Sequence, residues 1–234
     1  MAASPTHARA WPFVRATTAA LAFVAIVAQL ERTVRNAQES TTVWGSDVAT
    51  VVTNFLSFFT IQSNLAAAIV LTVAAVWAWT SGRRQSVEPR WLATLLVCVT
   101  TYMLVTGVVY NLLLRGIALP QGVTVPWSNE VLHVIVPGLL LIDLLFAPRR
   151  RALPWSTVAI ALGYPLVWVV YTMVRGPLVI SPSTGNPWWY PYPFLDPNRP
   201  GGVASVAPYV VVIAIGIAAT AAAVVGVGRL RARR

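Results

Sequence analysis

A neutral imidazole takes a proton from an alcohol near pH 7, and an alcohol so relieved attacks carbonyl carbon. The sequence offers one such histidine away from its N-terminal tail: His133, in the apolar run WSNEVLHVIVPGLLLIDLLF at 127–146. An ionisable side chain in a stretch able to cross a bilayer points to function, because lipid offers it no partner. Asn129 lies four residues before it and Pro137 four after, so the three share one helix face. Pro137 also removes the amide that would bond the His133 carbonyl, which predicts a kink or an opened carbonyl there. The candidate alcohol is Thr60 in VVTNFLSFFTIQSNLAAAIV, where Thr53, Ser57, Thr60 and Asn64 have the spacing of one helix face. Hydroxyls that bond the carbonyl one turn back, or glue helices together, give such a stripe without chemistry.

These side chains need elements to hold them. The chain has 234 residues, 57% hydrophobic and 10% charged, with a mean hydropathy of +0.68, too apolar for a soluble domain. A membrane span takes about 20 mostly apolar residues. Six stretches qualify, at 12–30, 52–79, 91–114, 128–147, 154–174 and 204–228, and predict an all-α bundle of six transmembrane helices in one domain. There is no lysine, and of the 17 basic residues five, Arg32, Arg35, Arg115, Arg175 and Arg199, fall on one side of the bundle and the rest on the other. By the positive-inside rule both termini face the cytoplasm of a multi-pass cell-membrane protein. The first span also fits a cleaved signal peptide, which leaves the orientation unchanged. The basic runs are too short for nucleic-acid binding, and Cys98 is alone, without a disulfide partner.

Counted from the outer ends of their spans, Thr60 and His133 both lie roughly 8 to 13 Å below the surface at about 1.5 Å per residue. A hydrogen bond between them is therefore expected. With Thr60 as nucleophile and His133 as base, the chemistry is acyl transfer from a lipid-like ester drawn from the outer leaflet. Asn64 and Asn129 are the expected oxyanion donors, and Tyr110 and Tyr192 are expected to line the substrate site. Glu130, one turn outward, is a candidate partner for His133, while Asp143 lies too far along the axis and is expected to pair with Arg149–Arg151. Gly107 is expected to let helices approach closely. The polar stretch ERTVRNAQESTTVWGSDVAT is long enough to cover the outer mouth. The loop at 175–203, with Trp188, Trp189, Tyr190, Tyr192 and Phe194, is too aromatic for a free linker and is expected to fold back as a lid. Arg115, Arg175 and Arg199 either bind a substrate carboxylate or snorkel to the interface. One membrane histidine and two carboxylates make no metal ligand set, and no Gly-rich phosphate loop, GxSxG or CxxC occurs, so no cofactor or metal is expected.

FFTIQSN in the second span, SNEVLHVIVPGLLLID as the fourth, YPLVW in the fifth and YPFLD in the last long loop resemble the androgen-induced family of six-span membrane proteins, including its bacterial branch. The resemblance covers most of residues 50–197. It implies a threonine hydrolase of fatty acid esters of hydroxy fatty acids, with Thr60 similar to the family's nucleophile and His133 to its histidine. Ser128-Asn129-Glu130 precedes the histidine where animal members are usually rich in Asn and His, so the resemblance speaks to the chemistry rather than to the substrate. Two readings from other classes stay open: a proton-coupled or small-molecule transporter in which His133 carries the proton, and a non-catalytic membrane interaction protein.

Overall fold

Hydrocarbon offers no water to backbone amides, so an apolar chain of this kind must satisfy them within helices. The computed structural model describes residues 5–116 and 124–232. Among them six helices are long and apolar enough to cross a membrane: Arg9–Gln38, Phe59–Trp79, Arg90–Leu114, Pro126–Phe146, Thr157–Leu178 and Gly202–Ala232. The protein is an all-α, multi-span membrane protein. Its helices are α1 (Pro5–Gln38), α2 (Val48–Ser57), α3 (Phe59–Trp79), α4 (Arg90–Val109), α5 (Pro126–Glu130), α6 (Val136–Phe146), α7 (Thr157–Arg175) and α8 (Gly202–Ala232). A π-helical turn, Tyr110–Leu114, extends α4, and another, Val131–Ile135, joins α5 to α6.

Helix α1 packs along α3, α3 on α4, α4 on α6 and α8, and α7 on α8. Leu71, Leu92, Leu96, Met103, Leu132, Val136 and Leu140 are sealed between them. Outward faces stay apolar, as lipid requires: Ile69, Val167, Val170, Val212 and Ile215 are exposed. One end of the bundle holds both terminal helix ends and the connections at 80–89 and 147–156. The opposite, far end holds those at 39–47 and 176–201, the end of span three and the start of span four.

Two boundaries differ from the sequence expectation. The segment after residue 30, expected to cover the outer mouth, continues α1 to Gln38, because Thr33 bonds the Gln29 carbonyl at 2.8 Å and Arg35 pairs with Glu31 one turn away. Only 39–47 remains as connection, closed by Asp47, whose side chain caps α2 through the Thr50 amide at 3.2 Å. The second span is not one helix from 52 to 79. It breaks at Phe58, whose backbone is extended (φ −66°, ψ 130°). The carbonyls stranded by the break find side chains: Trp168 Nε1 donates to Ser57 at 3.0 Å and Gln62 Nε2 to Leu56 at 2.8 Å.

The terminal end is held by ions. Arg15 donates to Asp143 and to Glu88 at 2.7 Å each, and Arg150 to Asp143 at 2.5 Å. All four side chains are buried, and Trp11 Nε1 adds a bond to Asp143 at 2.7 Å. Asp143 thus meets the 149–151 run, as its position suggests, but also Arg15 from α1, which as a sequence feature reads only as a topology charge. Arg231 continues the clasp by donating to the Leu144 and Ala147 carbonyls at 2.6 and 2.7 Å.

Removing one partner of a buried ionic cluster leaves its charges uncompensated, at a cost of about 3–5 kcal/mol. Asp143→Ala is therefore expected to lower the thermal unfolding midpoint of the detergent-solubilised protein sharply, and Asp143→Glu by much less. Equal midpoints for Asp143→Ala and wild type contradict the clasp.

Candidate active site

The break at Phe58 decides where Thr60 sits. Restarting the helix at Phe59 puts Thr60 in the first turn of α3, where backbone N–H groups lack an intrahelical acceptor. The expected stripe is divided accordingly. Thr53 is exposed and bonds the Ala49 carbonyl at 2.7 Å, and Ser57 meets Tyr171 at 2.8 Å. Thr60 and Asn64 remain together on α3.

His133 reaches Thr60 through a second irregularity. Pro137 has no amide to give the His133 carbonyl, and the chain accommodates this with the π-helical turn Val131–Ile135. The opened carbonyl faces span three, where Asn111 Nδ2 lies 3.5 Å away. Gly107 makes that approach possible: a Cβ there would stand 3.2 Å from the His133 oxygen and 3.1 Å from Pro137 Cβ.

The ring is held on three sides. Nδ1 lies 2.9 Å from the Asn129 carbonyl oxygen. A carbonyl only accepts, so Nδ1 carries the hydrogen and Nε2 presents a lone pair. That lone pair faces Thr60 Oγ1 at 3.2 Å. Tyr110 stacks on the imidazole with centroids 3.9 Å apart and planes inclined 24°, and its hydroxyl accepts from Asn129 Nδ2. Asn64 Nδ2 donates to the Thr60 carbonyl at 2.9 Å and to the Leu132 carbonyl at 3.1 Å. It thereby ties α3 to the residue before the histidine. Thr60 and His133 are both buried.

A cleft enclosing about 780 Å³ of empty space, its mouth included, opens at this pair. Thr60, Thr106, Tyr110 and Tyr192 are among its lining residues, with Phe59, Trp168 and Phe194 as apolar neighbours. His133 stands behind Thr60 rather than on the wall. Asn64 and Asn129 are not among the lining residues either, and their amides are engaged with the Thr60 and Leu132 carbonyls and with Tyr110. Leu166 of α7 lines the cleft and is half exposed, so the wall extends to the lipid-facing surface.

The 179–201 segment folds back over the far end, with Trp189, Tyr190, Tyr192 and Leu195 buried. Phe58 takes Trp189 and Tyr192 edge-on at 5.5 and 5.6 Å. The Tyr192 oxygen accepts the Thr60 N–H at 3.3 Å and lies 3.4 Å from Thr60 Oγ1. Burial holds this phenol above its usual titration range and so neutral. Glu130, weighed as a partner for His133, instead pairs with Arg115 at 3.0 Å. Arg175 donates to Asn54 at 2.7 Å, while Arg199 borders a second cleft with Ser205 and Tyr209 that shares Leu114 and Phe194 with the first. The partner sequence reasoning missed is the Asn129 main chain, which the four-residue spacing to His133 signals as well as it signals the side chain.

Comparison with protein-family models, curated proteins and solved structures finds no match for the chain.

The Asn129 carbonyl fixes one tautomer, so ¹⁵N spectra of histidine-labelled protein should show His133 protonated at Nδ1 and bare at Nε2, with His133→Asn identifying its signals. A ring protonated at Nε2 alone contradicts the arrangement.

Proposed function

We propose that the chain is an intramembrane hydrolase of lipid esters, in which Thr60 is the nucleophile and His133 the general base. The observation that carries this is the 3.2 Å contact between a buried hydroxyl and an imidazole nitrogen whose lone pair is directed at it by a carbonyl on the other side of the ring. An ester carbonyl in the cleft meets Thr60 Oγ1 as His133 Nε2 takes the hydroxyl proton. The tetrahedral intermediate collapses, the C–O bond to the alcohol breaks, and Nε2–H returns the proton to the departing alkoxide. Water, deprotonated by the same nitrogen, then attacks the acyl-Thr60 ester and releases the acid and the free threonine.

The apolar wall suits acyl chains, and the half-exposed Leu166 suits their entry from the bilayer rather than from water. By the positive-inside rule the arginine distribution favours an extracytoplasmic far end, and so a site in the outer leaflet of the cell membrane. In the motifs that resemble the androgen-induced family, Thr60 and His133 are similar to its threonine and histidine. That resemblance favours fatty acyl esters as the substrate class, including those of hydroxy fatty acids.

Thr60→Ala is expected to bring hydrolysis of p-nitrophenyl fatty acyl esters by the purified protein to background, and Thr60→Ser to keep activity within about tenfold. His133→Ala is expected to cost about 10²–10⁴-fold, the usual worth of a general base. Wild-type turnover by Thr60→Ala overturns the assignment. A proton carrier built on His133 would instead tolerate Thr60→Ala and respond only to the histidine.

A further inference from the structure

An acyl-transfer site needs a donor for the oxygen that becomes an anion as Thr60 attacks. The two asparagine amides nearest the pair are already engaged: Asn64 with the Thr60 and Leu132 carbonyls, Asn129 with Tyr110. The Thr60 N–H is held by Tyr192. Resting on the hydrolase reading, we propose that Tyr192, delivered by the 179–201 loop, is a catalytic residue whose O–H donates to the oxyanion.

The direction of that proton follows from its neighbours. The phenol oxygen accepts the Thr60 N–H at the start of α3 at 3.3 Å, so its hydrogen points away from that amide. The nearest acceptor, Thr60 Oγ1, lies at 3.4 Å, well beyond the roughly 2.7–2.8 Å of a good O–H···O bond. The proton is therefore available to a substrate oxygen bound between the two hydroxyls. Tyr192 also lines the cleft, so such an oxygen reaches it directly. The amide polarising the oxygen strengthens the O–H as a donor, and α3 adds the positive end of its dipole. In the attack the Thr60 proton passes to His133 Nε2, the carbonyl π pair moves onto oxygen, and Tyr192 O–H shortens its bond to that oxygen without losing the proton. On collapse the pair reforms the carbonyl and Tyr192 relaxes.

The ring's seat is independent of the hydroxyl: Phe194 stacks on it at 5.3 Å, inclined 5°, Phe58 meets it edge-on and Trp168 lies 6.0 Å away. Tyr192→Phe keeps that packing and removes the hydroxyl, both its proton and the oxygen that accepts the Thr60 amide; Tyr192→Leu removes the ring as well. Steady-state hydrolysis of long-chain p-nitrophenyl esters is measured for wild type, Thr60→Ala and both Tyr192 variants, with thermal midpoints alongside. A lost oxyanion donor typically costs about 10²–10³-fold in kcat. Tyr192→Phe is expected to show that loss with KM within about threefold of wild type and a midpoint lowered by no more than about 4–8 °C, since the Thr60 amide loses its acceptor. If Tyr192→Phe keeps wild-type kcat or exceeds it while Thr60→Ala is inactive, the phenol is packing or a plug, and the proposal falls with the hydrolase reading intact. If Thr60→Ala itself turns over like wild type, both fall. Should Tyr192→Phe not fold, 3,5-difluorotyrosine at 192 tests the same proton: kcat changes with donor acidity if the O–H acts, and an unchanged kcat overturns the proposal.

Discussion

An imidazole placed below the surface of a membrane has no water to complete its hydrogen bonds, so the protein must supply a partner for each ring nitrogen. Here one nitrogen is given a main-chain carbonyl from its own helix and the other a hydroxyl from another helix. The first partner only accepts, and that fixes what the second nitrogen can do. Much of the surrounding structure serves to keep those two partners in place. Asn64 ties α3 to the turn that carries the histidine, Tyr110 stacks on the ring, and Gly107 lets span three close against it.

The site also lies where the helices are least regular. The break at Phe58 and the π-helical turn before Pro137 each release backbone groups that a straight helix would bond internally. At the first, the freed amide of Thr60 meets Tyr192. At the second, the freed His133 carbonyl is approached by Asn111. The aromatic loop therefore covers the far end and is also bonded to the first turn of α3 beside Thr60. The opposite end is closed by charge. Arg15, Glu88, Asp143 and Arg150 join α1, the 80–89 connection, α6 and the segment after it, leaving helix positions at the site to be set by packing.

Much of this is legible in the sequence because the bilayer imposes a coarse rule on it. Six apolar runs become six spans, a lone histidine among leucines marks itself, and Pro137 four residues on announces an open carbonyl. What the sequence conceals is decided by contacts between distant segments. Nothing in FLSFFTIQ marks Phe58 as a break, since its stability depends on Trp168 and Gln62 accepting the task of bonding stranded carbonyls. Arg15 looks like one more topology charge until Glu88 and Asp143 arrive from elsewhere. The third partner of the pair is hidden for a simpler reason: it is the main chain of Asn129, and sequence reasoning weighs side chains.

A hydroxyl with a base behind it differs chemically from the other threonines of the chain, and covalent capture reports that difference directly. Purified protein treated with a lipophilic fluorophosphonate, digested and mapped by mass spectrometry should carry the phosphonyl adduct on Thr60, and His133→Ala should abolish it while leaving the fold intact. Adducts spread over other hydroxyls, or undiminished at Thr60 without His133, would contradict the account.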